Sequence, residues 1–310
     1  MNPPSLNVNP WAAQDAAAAL RVLLLWGGSG LALLALAPLL TRLLCRAFGL
    51  VKPNFRGDVI PASAGLTFLL VGIVAYAALG VSRAEIGERA PLFLLVTVGF
   101  GLLGLLDDKF GARADGGGFK NHVRALFAGR PTTGGLKLLG GGIVALAASW
   151  LLHRTGPAAL PGDVAGVFAP LVLLLDALVI ALAANALNLL DVRPGRALFG
   201  FVLLALPTGI AVARAQSLHG GALLGVLVLA ACVEAWPDAR GKAMMGDTGS
   251  NLLGAAAGLA LVLELPVWGR VAALLLLAGL NIAAERVSLS AVIERTPFLR
   301  ALDRSLGVRS

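Results

Sequence analysis

Long uninterrupted apolar runs constrain this chain more than any other feature. They fall at about 22–44, 64–82, 90–106, 136–152, 167–189, 197–213, 219–236, 248–264 and 267–284. A run of roughly 17–25 apolar residues crosses about 30 Å of hydrocarbon as an α-helix. Within lipid every backbone N–H and C=O must be paired inside the chain, and a helix does this within one segment. The runs are continuous and lack the alternation of barrel strands. The expected fold is therefore all-α: a polytopic helical membrane bundle of about nine transmembrane helices, with ten as the alternative. It forms a single membrane-embedded domain over 1–310, ending in a basic tail over 285–310.

Composition agrees. Hydrophobic residues make up 58% of the chain and charged residues 14%, against about 25% charged in a soluble domain. This excludes a soluble globular protein. The two cysteines, Cys45 and Cys232, lie in or beside apolar runs, so neither a disulfide framework nor a thiolate metal site is built from them. The stretch Met1 to Leu20 lacks the basic start and cleavage site of a secretory signal, and the first run is expected to stay as an anchor. The tail carries Val287, Leu289, Val292, Ile293, Phe298, Leu299 and Leu302 among its charges. It is expected to lie on the membrane surface as an amphipathic helix interrupted at Pro297.

The net charge of +8 reads as topology rather than as a nucleic-acid footprint. With the N-terminus outside, nineteen of the 25 Lys and Arg fall in inside loops. By the positive-inside rule the chain is N-out and C-in.

That orientation brings scarce acids together. Asp107 and Asp108 end the third run, Asp191 follows the fifth, and Asp247 precedes the eighth. All four then lie at the cytoplasmic edge. Asn185, Asn188 and Asp191 are spaced i, i+3, i+6, which puts them on one helical stripe. Carboxylates at one depth suit a hard cation, and magnesium commonly takes one or two carboxylates plus substrate phosphates. Thr248 and Ser250 stand beside a helix start, where backbone N–H groups favour phosphate. The plain alternative for each acid alone is solvation or helix capping. Asp176, inside the fifth run, is either functional or a polar contact between helices.

The ordered motifs, Asp107-Asp108, then Asn185-x-x-Asn188-x-x-Asp191, then Met245-Gly-Asp-Thr-Gly-Ser250, resemble the polyprenyl-phosphate N-acetylhexosamine-1-phosphate transferase family. This family includes phospho-N-acetylmuramoyl-pentapeptide transferase and the undecaprenyl-phosphate GlcNAc-1-phosphate transferases. The resemblance covers about Lys52 to Glu285. It implies a multi-pass enzyme of the bacterial cytoplasmic membrane with its site facing the cytoplasm. The implied reaction moves a sugar 1-phosphate from a UDP-N-acetyl-sugar to undecaprenyl phosphate and releases UMP, for cell-envelope glycan biosynthesis such as that of peptidoglycan. The implied cofactor is Mg2+, with Mn2+ as the substitute. Asp107, Asp108, Asp191 and Asp247 correspond to the catalytic and metal-binding acids. Asn188 is expected to contact ligand or metal. Lys52 and Arg56 look like the first cytoplasmic motif, Lys120 and Lys137 are candidates for donor phosphates, and Asn185 and Thr248 complete the candidate binding set. Membrane lipid is the expected surrounding, nucleic acid is not an expected partner, and a homodimer is a candidate assembly.

The chain also departs from that pattern. Asp191 is followed by Val192-Arg193-Pro194-Gly195-Arg196, so Pro194 replaces a second acid. The histidines are His122, His153 and His219 alone, and the family's His-rich segment has no counterpart. Arg193 and Arg196 are expected to contact an anionic donor or lipid phosphate; the alternative is positive-inside anchoring. The losses leave open a second class, a non-catalytic relative that binds a polyprenyl-phosphate lipid or scaffolds an envelope assembly. A transporter reading rests on Asp176 alone and lacks an inverted repeat.

Overall fold

A helix stands at each of the nine apolar runs. The computed structural model describes residues 28–81, 88–111, 128, 132–155, 162–215 and 219–308. The nine long helices are α1 (Gly28–Ala47), α2 (Leu66–Gly80), α3 (Ala90–Phe110), α4 (Thr133–Thr155), α5 (Gly162–Leu190), α6 (Arg196–Ala215), α7 (His219–Ala239), α8 (Gly246–Glu264) and α9 (Val267–Arg286). Two short helices follow, α10 (Leu289–Arg295) and α11 (Pro297–Leu306). Six helices, α1, α3, α4, α5, α7 and α9, are long and apolar enough to cross a membrane. Helices α2 and α6 contribute shorter apolar stretches.

Helix α8 is the axis of the bundle. Every residue from Thr248 to Val262 is buried, and α2, α3, α5, α6 and α7 pack around it. Close approach depends on small residues: a Cβ on Gly254 would lie 2.4 Å from the Ala183 carbonyl of α5. Small residues let backbones come together where lipid gives no hydrophobic drive between helices. Outer helices invert the soluble pattern. On α9 only Arg270 and Leu277 are buried, whereas Trp268, Leu275 and Leu276 face outward. Trp236 at the end of α7 lies 4.4 Å under Lys242 Nζ, and Trp150 near the end of α4 lies under Arg154. Such Trp and basic pairs suit the water–membrane boundary.

The all-α expectation needs one addition. Residues Val51–Pro53 (β1) and Val59–Pro61 (β2) form an antiparallel two-stranded sheet, with Lys52 opposite Ile60. The Asn54 side chain shapes the turn, accepting from the Arg56 and Asp58 amides at 2.8 and 3.0 Å. Its Nδ2 donates to the Gly241 carbonyl at 2.9 Å. Met244 N–H donates to the Pro61 carbonyl at 2.8 Å, and the Ala64 and Gly65 amides donate to the Met244 and Met245 carbonyls. The hairpin thereby fixes the segment that leads into α8.

The tail breaks where expected, at Thr296, with Pro297 opening α11. Beyond lying at a surface, it docks on the bundle. Arg196 of α6 is 4% exposed, and its guanidinium donates to both oxygens of Asp303 (Nη2 at 3.1 Å) and to Ser290 Oγ at 2.7 Å.

Candidate functional site

The acidic motifs meet at one end of the bundle. Asp107 lies in the last turn of α3, and Lys137 Nζ of α4 donates to its Oδ2 at 3.2 Å. The same ammonium donates to Asp247 Oδ2, in the first turn of α8. With its amide nitrogen turned toward acceptors, Asn188 of α5 donates to Asp247 Oδ1 at 2.9 Å and to Ser250 Oγ at 3.1 Å. Its oxygen then accepts from Lys137 Nζ at 3.1 Å. All three ammonium N–H groups of Lys137 thus have acceptors: two carboxylates and an amide oxygen, on three helices.

Asp108 does something different. Its Oδ1 accepts from the Asp247 amide at 2.9 Å, and its Oδ2 accepts from the Thr248 amide and hydroxyl at 3.1 and 2.7 Å. It caps α8 from another helix, which satisfies orphan N–H groups and opposes the positive end of the dipole. The sequence places Asp107 and Asp108 together as metal and catalytic acids; the structure turns them to separate partners. Two glycines make the junction: a Cβ on Gly104 would lie 2.2 Å from the Asp247 carbonyl, and Gly246 has φ +72° with no room for a side chain beside Asp108.

Asp191 follows α5 and borders a cavity of about 720 Å³, which Lys52, Asp108, Asp238 and Asp247 also line. Burial pushes the Asp191 carboxyl well above the ordinary carboxylate range, and the nearby Asp238, Asp247 and Asp108 charges push the same way. A cation relieves such crowding. Among the described residues no cluster of three or more Asp, Glu, His or Cys side chains is gathered tightly enough to hold a metal alone. Magnesium binds through one or two carboxylates and completes its shell with water and substrate phosphates, and Asp107 and Asp247 are the acids here that could supply them. Asp107 and Asp247 already converge on one cationic group, the Lys137 ammonium.

The remaining expected residues divide. Arg193 lines the cavity and pairs with Glu294, with Asp303 at 3.9 Å. Arg196 is held by Asp303 and Ser290 and is not part of the cavity wall. Asn185 meets Asn281 of α9, away from the acids. Arg56 stands 5.0 Å over the Phe55 ring, outside the cavity lining. Lys120 lies outside the described residues. Asp176 is fully buried about 22 Å along α5 from Asp191. Arg270 Nη1 donates to both its oxygens, at 3.2 and 3.1 Å, and His153 Nε2 lies 3.1 Å from Oδ2. This is a contact among α4, α5 and α9.

Sequence reasoning did not single out Asp238, whose Oδ2 accepts from the Gly195 amide at 2.7 Å, or the tail residues Arg300 and Arg304, which line the cavity. The amphipathic pattern of the tail was their one signal. No family model and no curated protein matches the chain.

Proposed function

We propose that this protein transfers a sugar 1-phosphate, from a UDP-N-acetyl-sugar, to a polyprenyl phosphate at the cytoplasmic face of a bacterial inner membrane. The observation that carries this reading is the meeting of Asp107, Lys137, Asn188 and Asp247 from four helices beside an acid-floored cavity. It is a polar site at the end of an apolar bundle, where a lipid-borne phosphate and a water-soluble donor can meet. In a nine-span topology with the N-terminus outside, the arrangement that the basic loops favour, this end would face the cytoplasm.

In the proposed reaction an oxygen of the acceptor phosphate bonds to the sugar-linked phosphorus of the donor. The bond from that phosphorus to the bridging oxygen breaks, and UMP leaves with the bond pair. Asp107 and Asp247, with Asp191 nearby, are the residues that would hold magnesium, which supplies charge offset between two anionic substrates and on the departing UMP. Lys137 is placed to exchange a carboxylate for a phosphate oxygen. Asp108 and Thr248 keep the start of α8 in register. Asn188 orients Asp247 and Lys137 together. An acceptor phosphate needs little activation near neutral pH, so no general base is assigned.

The test is UMP release by the purified chain, supplied with undecaprenyl phosphate, Mg2+ and a panel of UDP-N-acetyl-sugars. Asp247→Asn and Asp107→Asn are expected to abolish it. Absence of UMP with every donor overturns the reading. One observation favours a second reading, a non-catalytic lipid-phosphate binder: the Lys137 ammonium already bridges Asp107 and Asp247 and offsets one of their two negative charges. A Mg2+-dependent rise in melting temperature with a UDP-sugar separates the two, because the binder has no reason to respond to both.

A further inference from the structure

Helix α7 carries an outward-facing stripe that ends in charge. Leu229, Val233, Trp236 and Arg240 follow at i, i+4, i+7 and i+11, which is one face of a helix. All four are exposed, Leu229 and Trp236 at 57% each. The face is apolar at first, then presents an indole, then a cation. The helix closes on a left-handed residue, Gly241 at φ +63°. The Gly241 amide donates to the Asp238 carbonyl and the Lys242 amide to the Pro237 carbonyl, both at 2.9 Å, the paired bonds of a glycine-ended helix. This turn folds Lys242 back. Its Nζ lies 4.4 Å from the Trp236 ring centre, and the Arg240 guanidinium carbon lies 5.9 Å from it. The hairpin also holds the turn: Asn54 Nδ2 donates to the Gly241 carbonyl, and a Cβ on Gly241 would lie 2.9 Å from Phe55 Cε1. Among the described residues no carboxylate forms an ion pair with Arg240 or Lys242. The ring attracts each cation, but no acid offsets their mutual repulsion.

We propose that this face binds one anionic phospholipid of the leaflet at the polar end of the bundle. Its phosphate lies between Arg240 and Lys242, and an acyl chain runs along Val233 and Leu229. Charge complementarity selects the occupant. An acidic protein matches the two cations but not an apolar stripe running into hydrocarbon. A zwitterionic lipid matches the stripe but brings no net charge. Basic groups where helices leave a membrane attract anionic headgroups, arginine presents two N–H groups to a phosphate at once, and Trp sits at headgroup level. Trp236, Arg240 and Lys242 are not part of the cavity wall, so the site does not rest on the transferase reading. It has a consequence for the polar end all the same. Gly241 lies between the two phosphate contacts, and the chain then runs through Met244, whose amide donates to the Pro61 carbonyl, to Asp247. A bound lipid steadies the segment that leads into α8.

The experiment is tryptophan fluorescence of the full chain in phosphatidylcholine vesicles that contain a minor fraction of brominated phosphatidylglycerol or, in parallel, of brominated phosphatidylcholine. The signal lost in Trp236→Phe isolates the contribution of that ring. In native protein phosphatidylglycerol is expected to occupy the face about five-fold or more in preference to phosphatidylcholine, the gain that one basic residue brings near an anionic surface. Arg240→Gln/Lys242→Gln should abolish the preference. Arg286→Gln/Arg295→Gln takes the same charge from the tail and should keep it, and elution as a single symmetric peak checks that each variant is folded. Equal quenching by the two lipids in native protein overturns the proposal, and so does a preference that survives in Arg240→Gln/Lys242→Gln. Loss of the preference in Arg286→Gln/Arg295→Gln overturns it in favour of diffuse attraction. A Trp236 quenched by neither lipid overturns it in favour of a face covered by protein. The preference without UMP release from any UDP-sugar leaves the lipid site standing and removes the transferase reading; UMP release without the preference does the reverse.

Discussion

Removing the guanidinium of Arg196 should free the tail without unfolding the bundle. Arg196 and Asp303 have side chains only 3% and 7% exposed, and they share a two-point contact supplemented by Ser290. Deleting one partner of a buried pair costs roughly 3–5 kcal/mol, because the other charge loses its closest counter-charge. The molecule can escape part of that penalty by undocking α10 and α11, which lets water reach Asp303. At 1.36 kcal/mol per decade, the docking equilibrium shifts by roughly two to more than three orders of magnitude. Hydrogen exchange across Pro297–Leu306 in Arg196→Met reads this directly: amide protection should fall by about that factor, while α8 is unchanged. Arg193→Ala serves as the comparison. Its pair with Glu294 is 38% and 51% exposed, so it should contribute under about 1 kcal/mol, less than a ten-fold change. Arg196→Met/Asp303→Leu removes both charges and should recover much of the lost protection. If Arg196→Met exchanges within three-fold of native, the buried pair does not hold the tail and the reasoning is wrong.

Asp108→Ala deprives two α8 amides and the Thr248 hydroxyl of their acceptor, and should lower stability by about 2 kcal/mol. Asp107→Ala should do less, because Lys137 keeps Asp247; thermal midpoints of the two variants make the comparison. Gly104→Ala forces a methyl against the Asp247 carbonyl and should destabilise by about 1–3 kcal/mol, whereas Gly142→Ala, which meets nothing within 4 Å, should be neutral or slightly stabilising. Asp191→Asn should raise the melting temperature of metal-free protein near pH 8. The Asp191 carboxyl titrates above its unfolded value, so the native state binds the extra proton, and the penalty grows as pH rises out of the ordinary carboxylate range. The gain should therefore shrink toward pH 4; a gain that grows on acidification contradicts the sign.

The helical architecture was legible because lipid-facing and core-facing helices are both apolar, and a run long enough to span has few other fates. Each of the nine runs contains or overlaps one long helix. The meeting of Asp107 with Asp247 followed from topology, which sets depth. Depth alone does not set direction. Neighbouring residues on a helix point about 100° apart, so Asp107 reaches Lys137 while Asp108 reaches the α8 amides. The stripe from Asn185 to Asp191 is also about 9 Å long, and Asn185 is deep enough to find Asn281 instead of the acids. Arg196 is 107 positions from Asp303, and no local pattern announces such a pairing. The hairpin left a fainter trace: Pro53, Asn54 and Gly57 are turn residues between two runs, and Gly57 has φ +87°.

The burial of α8 has a consequence for synthesis. Its residues are translated after α3, α4 and α5, so Asp108, Lys137 and Asn188 are in the nascent chain before the helix they grip. Until Gly246 to Asn251 emerges, the Asp108 carboxylate lacks the amides it accepts from and Lys137 lacks one of its two acids. The polar start of α8 also makes it a poor candidate for independent insertion, and it is not among the helices apolar enough to span alone. Its entry is best driven by a prepared socket of earlier helices. Truncation before Gly246 should therefore leave a membrane-inserted chain whose polar end has never been assembled, so that the proposed chemistry switches on at a late step of translation.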